Sequence, residues 1–173
     1  MITETRYALE ARLSADAALA GMLDRDPNVP DTPRPAILYA HLGTAPPPIT
    51  CLTYRLTTLT PDKRFRPALP ALSPYGDAGG PPAAPSTSPI FDFRVDLEAW
   101  TLKRSGAVGE AIFERLMALL DNQAWPINDA SGTQIARVFK GSCLTASLAD
   151  YDDKLNSQFS LFSFQLRVVR TDG

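Results

Sequence analysis

Histidine occurs once in the 173 residues, at His41, and cysteine twice, at Cys51 and Cys143. A His-dependent catalytic triad and a multi-histidine metal site are therefore excluded within one chain, and the cysteines lack the paired spacing of a zinc site. His41 is expected as a strand residue with a satisfied ring. The cysteines lie in strand-like runs and read as buried free thiols. No apolar run approaches the ~20 residues of a membrane span. The start, Met1-Ile2-Thr3-Glu4-Thr5-Arg6, has no basic region leading into an apolar one, so no cleaved signal peptide is expected there and the chain reads as soluble and intracellular at synthesis.

Glycine is also used in ways that exclude chemistry. Gly76-Asp77-Ala78-Gly79-Gly80 has no Lys-Ser/Thr after it and opens no helical pattern, so it is not a phosphate loop. Gly106 and Gly109 lack the third glycine of a dinucleotide fingerprint. Charge is nearly balanced, at −2 from 17 basic and 19 acidic residues. That balance argues against a broad nucleic-acid footprint, and Lys63, Arg64 and Arg66 read as a solvated loop or a protein contact. Asp150, Asp152 and Asp153 lack the glycine and closing glutamate of an EF-hand loop and read as a solvated hairpin tip. With no convergent acid, base, nucleophile and metal, an enzyme is not expected, and no cofactor is expected.

What the chain does carry is a change of period. Phe91-Asp92-Phe93-Arg94-Val95-Asp96-Leu97-Glu98-Ala99-Trp100 alternates apolar and polar residues, the period of a half-buried strand. From Val108 the apolar residues recur at threes and fours, through Ile112, Leu116 and Leu119, as on an amphipathic helix. Ser105 is the expected N-cap of that helix, and Pro126 prevents its continuation past Trp125. The strand's outward residues Asp92, Arg94, Asp96 and Glu98, with Trp100 at its end, are the candidate lumen or subunit-contact surface. Exposed tryptophan is uncommon and is enriched at interfaces.

Residues from about Thr3 to Leu23 favour helix. Both one continuous helix and two short ones joined near Ser14 fit, because Ser14 and Asp16 are good N-caps. Strands are expected at Ile37–Leu42, Ile49–Leu56, Ile90–Leu102, Gln134–Leu148, with a bulge at Gly141, and Ser157–Val169. Turns are expected at Asn128–Gly132 and Asp150–Asn156. From about Thr60 to Pro89 the chain is rich in Pro, Gly, Ala and Ser and reads as an insertion between neighbouring strands. Its candidate anchors are Phe65, Arg66, Leu69, Leu72 and Tyr75. The expected fold is a single α+β domain over residues 1–173, with helices packed on one face of a mostly antiparallel sheet. Its order would be α-β-β-(long loop)-β-α-β-β.

Four stretches together resemble the tail terminator, or tail completion, proteins of long-tailed bacteriophages. They are Ala8-Leu9-Glu10-Ala11-Arg12-Leu13-Ser14-Ala15-Asp16-Ala17-Ala18-Leu19, the strand start Pro48-Ile49-Thr50, the strand–helix unit Phe93 to Leu120, and the closing Phe162-Ser163-Phe164-Gln165-Leu166-Arg167-Val168. The resemblance is one of pattern and order over most of the chain apart from the insertion. It implies a structural virion protein at the head-proximal end of the tail. Such proteins form a ring, typically a hexamer, on the last ring of the tail tube and stop its polymerisation. They also present a surface to the head–tail connector. The partners implied are further copies of the chain, the tube protein and the connector protein, with DNA only in passage and no membrane. A head–tail connector or stopper is the nearest alternative. A monomeric ligand-binding module using the groove between helix and sheet is the alternative from another class.

Overall fold

A computed structural model describes residues 1–29, 31–39, 49–59, 90–101, 106–152 and 157–171. The domain is α+β, with a mostly antiparallel six-stranded sheet and three helices among the described residues. The elements in chain order are α1 (Ile2–Ser14), α2 (Ala17–Met22), β1 (Ile37–Tyr39), β2 (Cys51–Leu59), β3 (Ile90–Thr101), α3 (Gly106–Leu120), β4 (Trp125–Asn128), β5 (Gln134–Asp152) and β6 (Ser157–Arg170). The sheet runs β1-β2-β3-β6-β5-β4, and only the β1–β2 pair is parallel.

The expected N-terminal helix is two helices. Asp16 breaks the run with an extended backbone, and its carboxylate accepts from Leu19 N at 2.8 Å as the N-cap of α2. Leu9 and Leu13 lie one turn apart on α1 and are fully buried, as is Leu19 of α2. On α3, Ile112, Leu116 and Leu120 repeat every four residues and are fully buried, with Phe113 stacked on Phe162 of β6 at 5.1 Å. These side chains join one core with the inward residues of the sheet: Leu52, Tyr54 and Leu56, then Val95, Leu97 and Ala99, then Phe162, Phe164 and Leu166.

Three expectations change. Helix α3 stops at Leu120, well short of Pro126, and Trp125–Asn128 is a strand, β4, that was not expected. Asn122 ends the helix with φ 53°, a left-handed residue that Asn tolerates, and its N–H donates to Gly141 O at 3.0 Å. Periodicity could not mark β4, because four residues hold only two inward positions, Trp125 and Ile127. The 128–132 turn is correspondingly shorter: Asn128 belongs to β4, and Asp129 carboxylate takes the amides of Ser131 and Thr133 around Gly132.

Gly141 is the third. It pairs in register with Leu166 and carries no bulge; the register shifts lie at Phe139, at Leu144 and across 148–149. A Cβ on Gly141 would stand 1.9 Å from Leu120 O, so the glycine is there to let the end of α3 lie against β5. Asp121 completes the junction by accepting Cys143 N at 2.9 Å. Strands β2 and β5 extend beyond their expected ends, to Leu59 and Asp152. His41, Ser105 and the 60–89 insertion lie outside the described residues.

The obstacle at Gly141 is a backbone carbonyl that cannot rotate away. Gly141→Ala should therefore lower unfolding free energy by about 3 kcal/mol, the upper end of overpacking costs. Gly21→Ala, on α2 with nothing within 4 Å, should instead raise it by up to about 1 kcal/mol. Denaturant melts of the two variants check both signs.

Candidate functional site

Alternation on β3 separates two faces, with Phe93, Val95, Leu97 and Ala99 in the core and Asp92, Arg94, Asp96, Glu98 and Trp100 on the opposite side. The five candidate residues of that face are brought together with partners from β2 and β6. Arg94 Nε lies 2.8 Å from Asp96 Oδ1, and its Nη2 is 3.2 Å from Ser163 Oγ. Ser163 hydroxyl donates in turn to Asp96. Arg167 Nε pairs with Asp92 at 3.0 Å. Glu98 Oε2 accepts from Thr53 Oγ1 and from Trp100 Nε1, each at 3.2 Å. Trp100 is half-buried and stacks on Phe159 of β6 at 5.1 Å.

Two rows across four strands make the middle of this face. Thr53, Glu98, Leu161 and Ser147 form one row, and Arg55, Asp96, Ser163 and Thr145 the next. A hollow of about 390 Å³ lies over them. Its floor is polar and ordered: Thr53 and Ser163 are buried, while Leu161 keeps 40% of its surface exposed. Asp92, Asp96 and Glu98 stand against Arg55, Arg94 and Arg167, with Lys140 beside Arg167 in register. Among the described side chains the face is thus charged without being acidic.

A second concavity, of about 530 Å³, opens between α1 and β4. Small residues Ala8, Ala11 and Ala15 line its helical side, and Tyr7, Trp125, Pro126 and Asn128 line much of the rest. Tyr7 is 57% exposed, whereas Trp125 is 5% exposed. Arg12 lies 4.7 Å over the Trp125 ring and donates from Nε to Leu119 O at 2.8 Å, holding α1 against the end of α3. The indole Nε1 of Trp125 is buried without an acceptor. Asp16, at one end of this cleft, takes Arg115 Nε at 2.8 Å. That bond, ahead of the amide of Leu19, holds the Asp16 carboxyl down at about 2.

Sequence reasoning located the β3 residues because alternation marks a face. It missed Thr53, Arg55 and Ser163, which reach that face only through strand pairing. It missed the α1–β4 cleft because β4 itself was not expected. The insertion anchors Phe65, Arg66, Leu69, Leu72 and Tyr75 lie outside the described residues, as do Lys63, Arg64 and the 76–80 glycines. Asp153 lies outside them too, while Asp150 and Asp152 belong to β5 rather than to the expected hairpin turn.

Burial pushes the Cys51 thiol up to about 12, which keeps it protonated and poorly nucleophilic near neutrality. Tyr54, whose hydroxyl donates to Glu10 at 3.0 Å, is likewise pushed up by burial and by that carboxylate. Among the described residues no group of three or more His, Cys, Asp or Glu side chains gathers as a metal site, and no helix is long and apolar enough to cross a membrane. Comparison with protein-family models, curated proteins and solved structures finds no match.

Because folding acidifies Asp16, its stabilising effect is complete above the ordinary carboxyl value of 3.8 and is lost as pH falls through about 2. Asp16→Asn keeps an oxygen for the cap and loses the charge. It should cost about 1 kcal/mol at pH 7, the scale of a partly exposed pair, with the gap to the native chain closing towards pH 2. Paired urea melts across that range check it.

Proposed function

We propose that this chain is a structural, non-catalytic subunit of a phage tail. In this reading it closes into a ring of the tail-terminator kind, caps the tube at its head-proximal end and joins it to the connector. DNA passes through the ring. The observation that carries the reading is the second face of the sheet. A domain that needed only to fold could leave that face to water. Here it carries a half-buried tryptophan on a phenylalanine, an exposed leucine, one ion pair along β3 and one between β6 and β3. Aromatic and Arg side chains in an ordered polar setting are what protein contacts favour.

Of the two roles considered for Asp92, Arg94, Asp96, Glu98 and Trp100, the charge balance favours contact with a neighbouring subunit. A lumen that repels DNA needs an excess of negative charge, and these carboxylates are matched by Arg55, Arg94 and Arg167. The 60–89 insertion acts in this reading as an arm that neighbouring subunits or tube and connector proteins order, with Phe65, Arg66, Leu69, Leu72 and Tyr75 as anchors. Its prolines reduce the entropy lost on ordering. The hollow of about 390 Å³ favours a second reading, a monomeric ligand-binding module.

Particle imaging of the purified protein separates these. Closed rings with a central hole are expected, and Trp100→Glu should reduce them to single subunits that still unfold cooperatively. A monodisperse monomer with a ligand-dependent melting shift would support the module instead. Tails assembled without the protein should be overlong; normal-length, unattached tails would indicate a connector. Deleting residues 62–88 should impair rings or tail-length control, and normal rings with normal tails would refute the arm.

A further inference from the structure

We propose that the cleft between α1 and β4 is a binding site for a carboxylate carried on an apolar body, and that the Arg12 guanidinium takes the carboxylate. The cleft shares no lining residue with the hollow over the sheet face, and its use does not depend on ring formation.

The cleft holds a cation without a counter-charge. Arg12 is half-buried, and its Nε is committed to Leu119 O at 2.8 Å. Its two terminal nitrogens have no acceptor, and no carboxylate pairs with it, among the described residues. Asp16, the one acidic side chain among the described residues lining the cleft, is already engaged by Arg115 and by the amide of Leu19. Burial holds the Arg12 guanidinium below its ordinary value, the direction expected of a cation that loses water and gains no anion. The Trp125 ring under it at 4.7 Å offsets part of that loss but supplies no acceptor. A second guanidinium, Arg6, lies 4.8 Å over the Tyr7 ring and adds positive charge on that side.

The walls say what the carboxylate is attached to. Ala8, Ala11 and Ala15 of α1 face the Trp125 and Pro126 side of the cleft, and Tyr7, 57% exposed, offers a flat ring at its mouth. A volume of about 530 Å³ falls within the range of small-ligand sites, where a few polar groups fix the orientation of an apolar body. The terminal nitrogens of a guanidinium lie on one edge of a planar fork, so both can donate to one carboxylate. The indole N–H of Trp125 is a second donor at this wall without an acceptor, which favours an anion over an ammonium group. A phosphate fits less well. One guanidinium would leave its remaining charge and oxygens against alanine and aromatic carbon.

Titration of the full, nitrogen-15-labelled chain at pH 7 tests this. The probes are 3-phenylpropionate and its neutral amide, then a blocked Leu-Glu-Leu peptide and its Leu-Gln-Leu counterpart. The reporter is the Trp125 indole N–H signal, told apart from that of Trp100 with Trp100→Phe. Each acid should shift it saturably and bind roughly tenfold more tightly than its neutral partner, the scale of a charge-assisted hydrogen bond. Arg12→Gln should abolish that preference. Tighter binding of the Glu peptide than of 3-phenylpropionate assigns a protein segment as the source of the carboxylate, and the reverse order assigns a free acid. No saturable shift with either acid, or equal binding of acids and neutral partners, would overturn the site. So would an acid preference that survives Arg12→Gln in a variant that still unfolds cooperatively. If that variant does not fold, the comparison of acid with neutral partner on the native chain decides alone. Sizing of the same samples reads ring formation separately, so loss of the site and loss of the ring reading are distinguishable.

Discussion

The antiparallel pairing of β3 with β6 is the constraint on which the rest of the domain depends. Twelve residues of β3 are matched one to one with β6, from Ile90 with Val169 to Thr101 with Gln158. Because side chains alternate, this one register decides everything on both sides of the sheet. It puts Phe93 beside Leu166, Val95 beside Phe164 and Leu97 beside Phe162, all within the hydrophobic core. The same register puts Asp92 beside Arg167 and Asp96 beside Ser163 on the other face. A slip by one residue would bury the ion pairs and expose the phenylalanines. Neither face tolerates that, and so each secures the register for the other.

How much of this was legible in the sequence depends on length and on locality. Strand β3 and helix α3 were readable because each is long enough for its period to repeat several times. The N-terminal pair of helices was readable up to the choice between one helix and two, and the Asp16 cap decides that choice. Strand β4 was not readable, since Trp125 and Ile127 are only two inward positions and Pro126 between them reads as a helix stop. Gly141 shows the other limit. Its presence in a strand was visible, but its reason is Leu120 O, a carbonyl twenty-one residues away that the turn at Asn122 brings back onto β5. The polar face was half visible for the same cause: alternation gives the β3 residues, and only pairing gives Thr53, Arg55 and Ser163.

The two surfaces outside the core differ in how they are held. On the sheet face, the polar side chains hold one another. Arg94 is engaged by Asp96 and Ser163, and Glu98 by Thr53 and Trp100. A prepared surface of this kind loses little entropy when a rigid partner meets it. The cleft beside β4 is held at its rim instead, by Arg12 reaching from α1 to the end of α3 and by Arg115 reaching from α3 to Asp16. Its walls mix small, aromatic and polar side chains.

The register shifts of β5 have a consequence for the open edge of this strand. Beyond Val138 the outer edge of β5 has left β4 behind, and past Cys143 its residues 144–147 are all exposed. A straight strand in that position would offer backbone groups to any other sheet edge and invite uncontrolled stacking of chains. The extra residues at Leu144 and across 148–149 put successive amides out of step with a regular partner. The open edge of β5 is thereby blunted against edge-to-edge pairing.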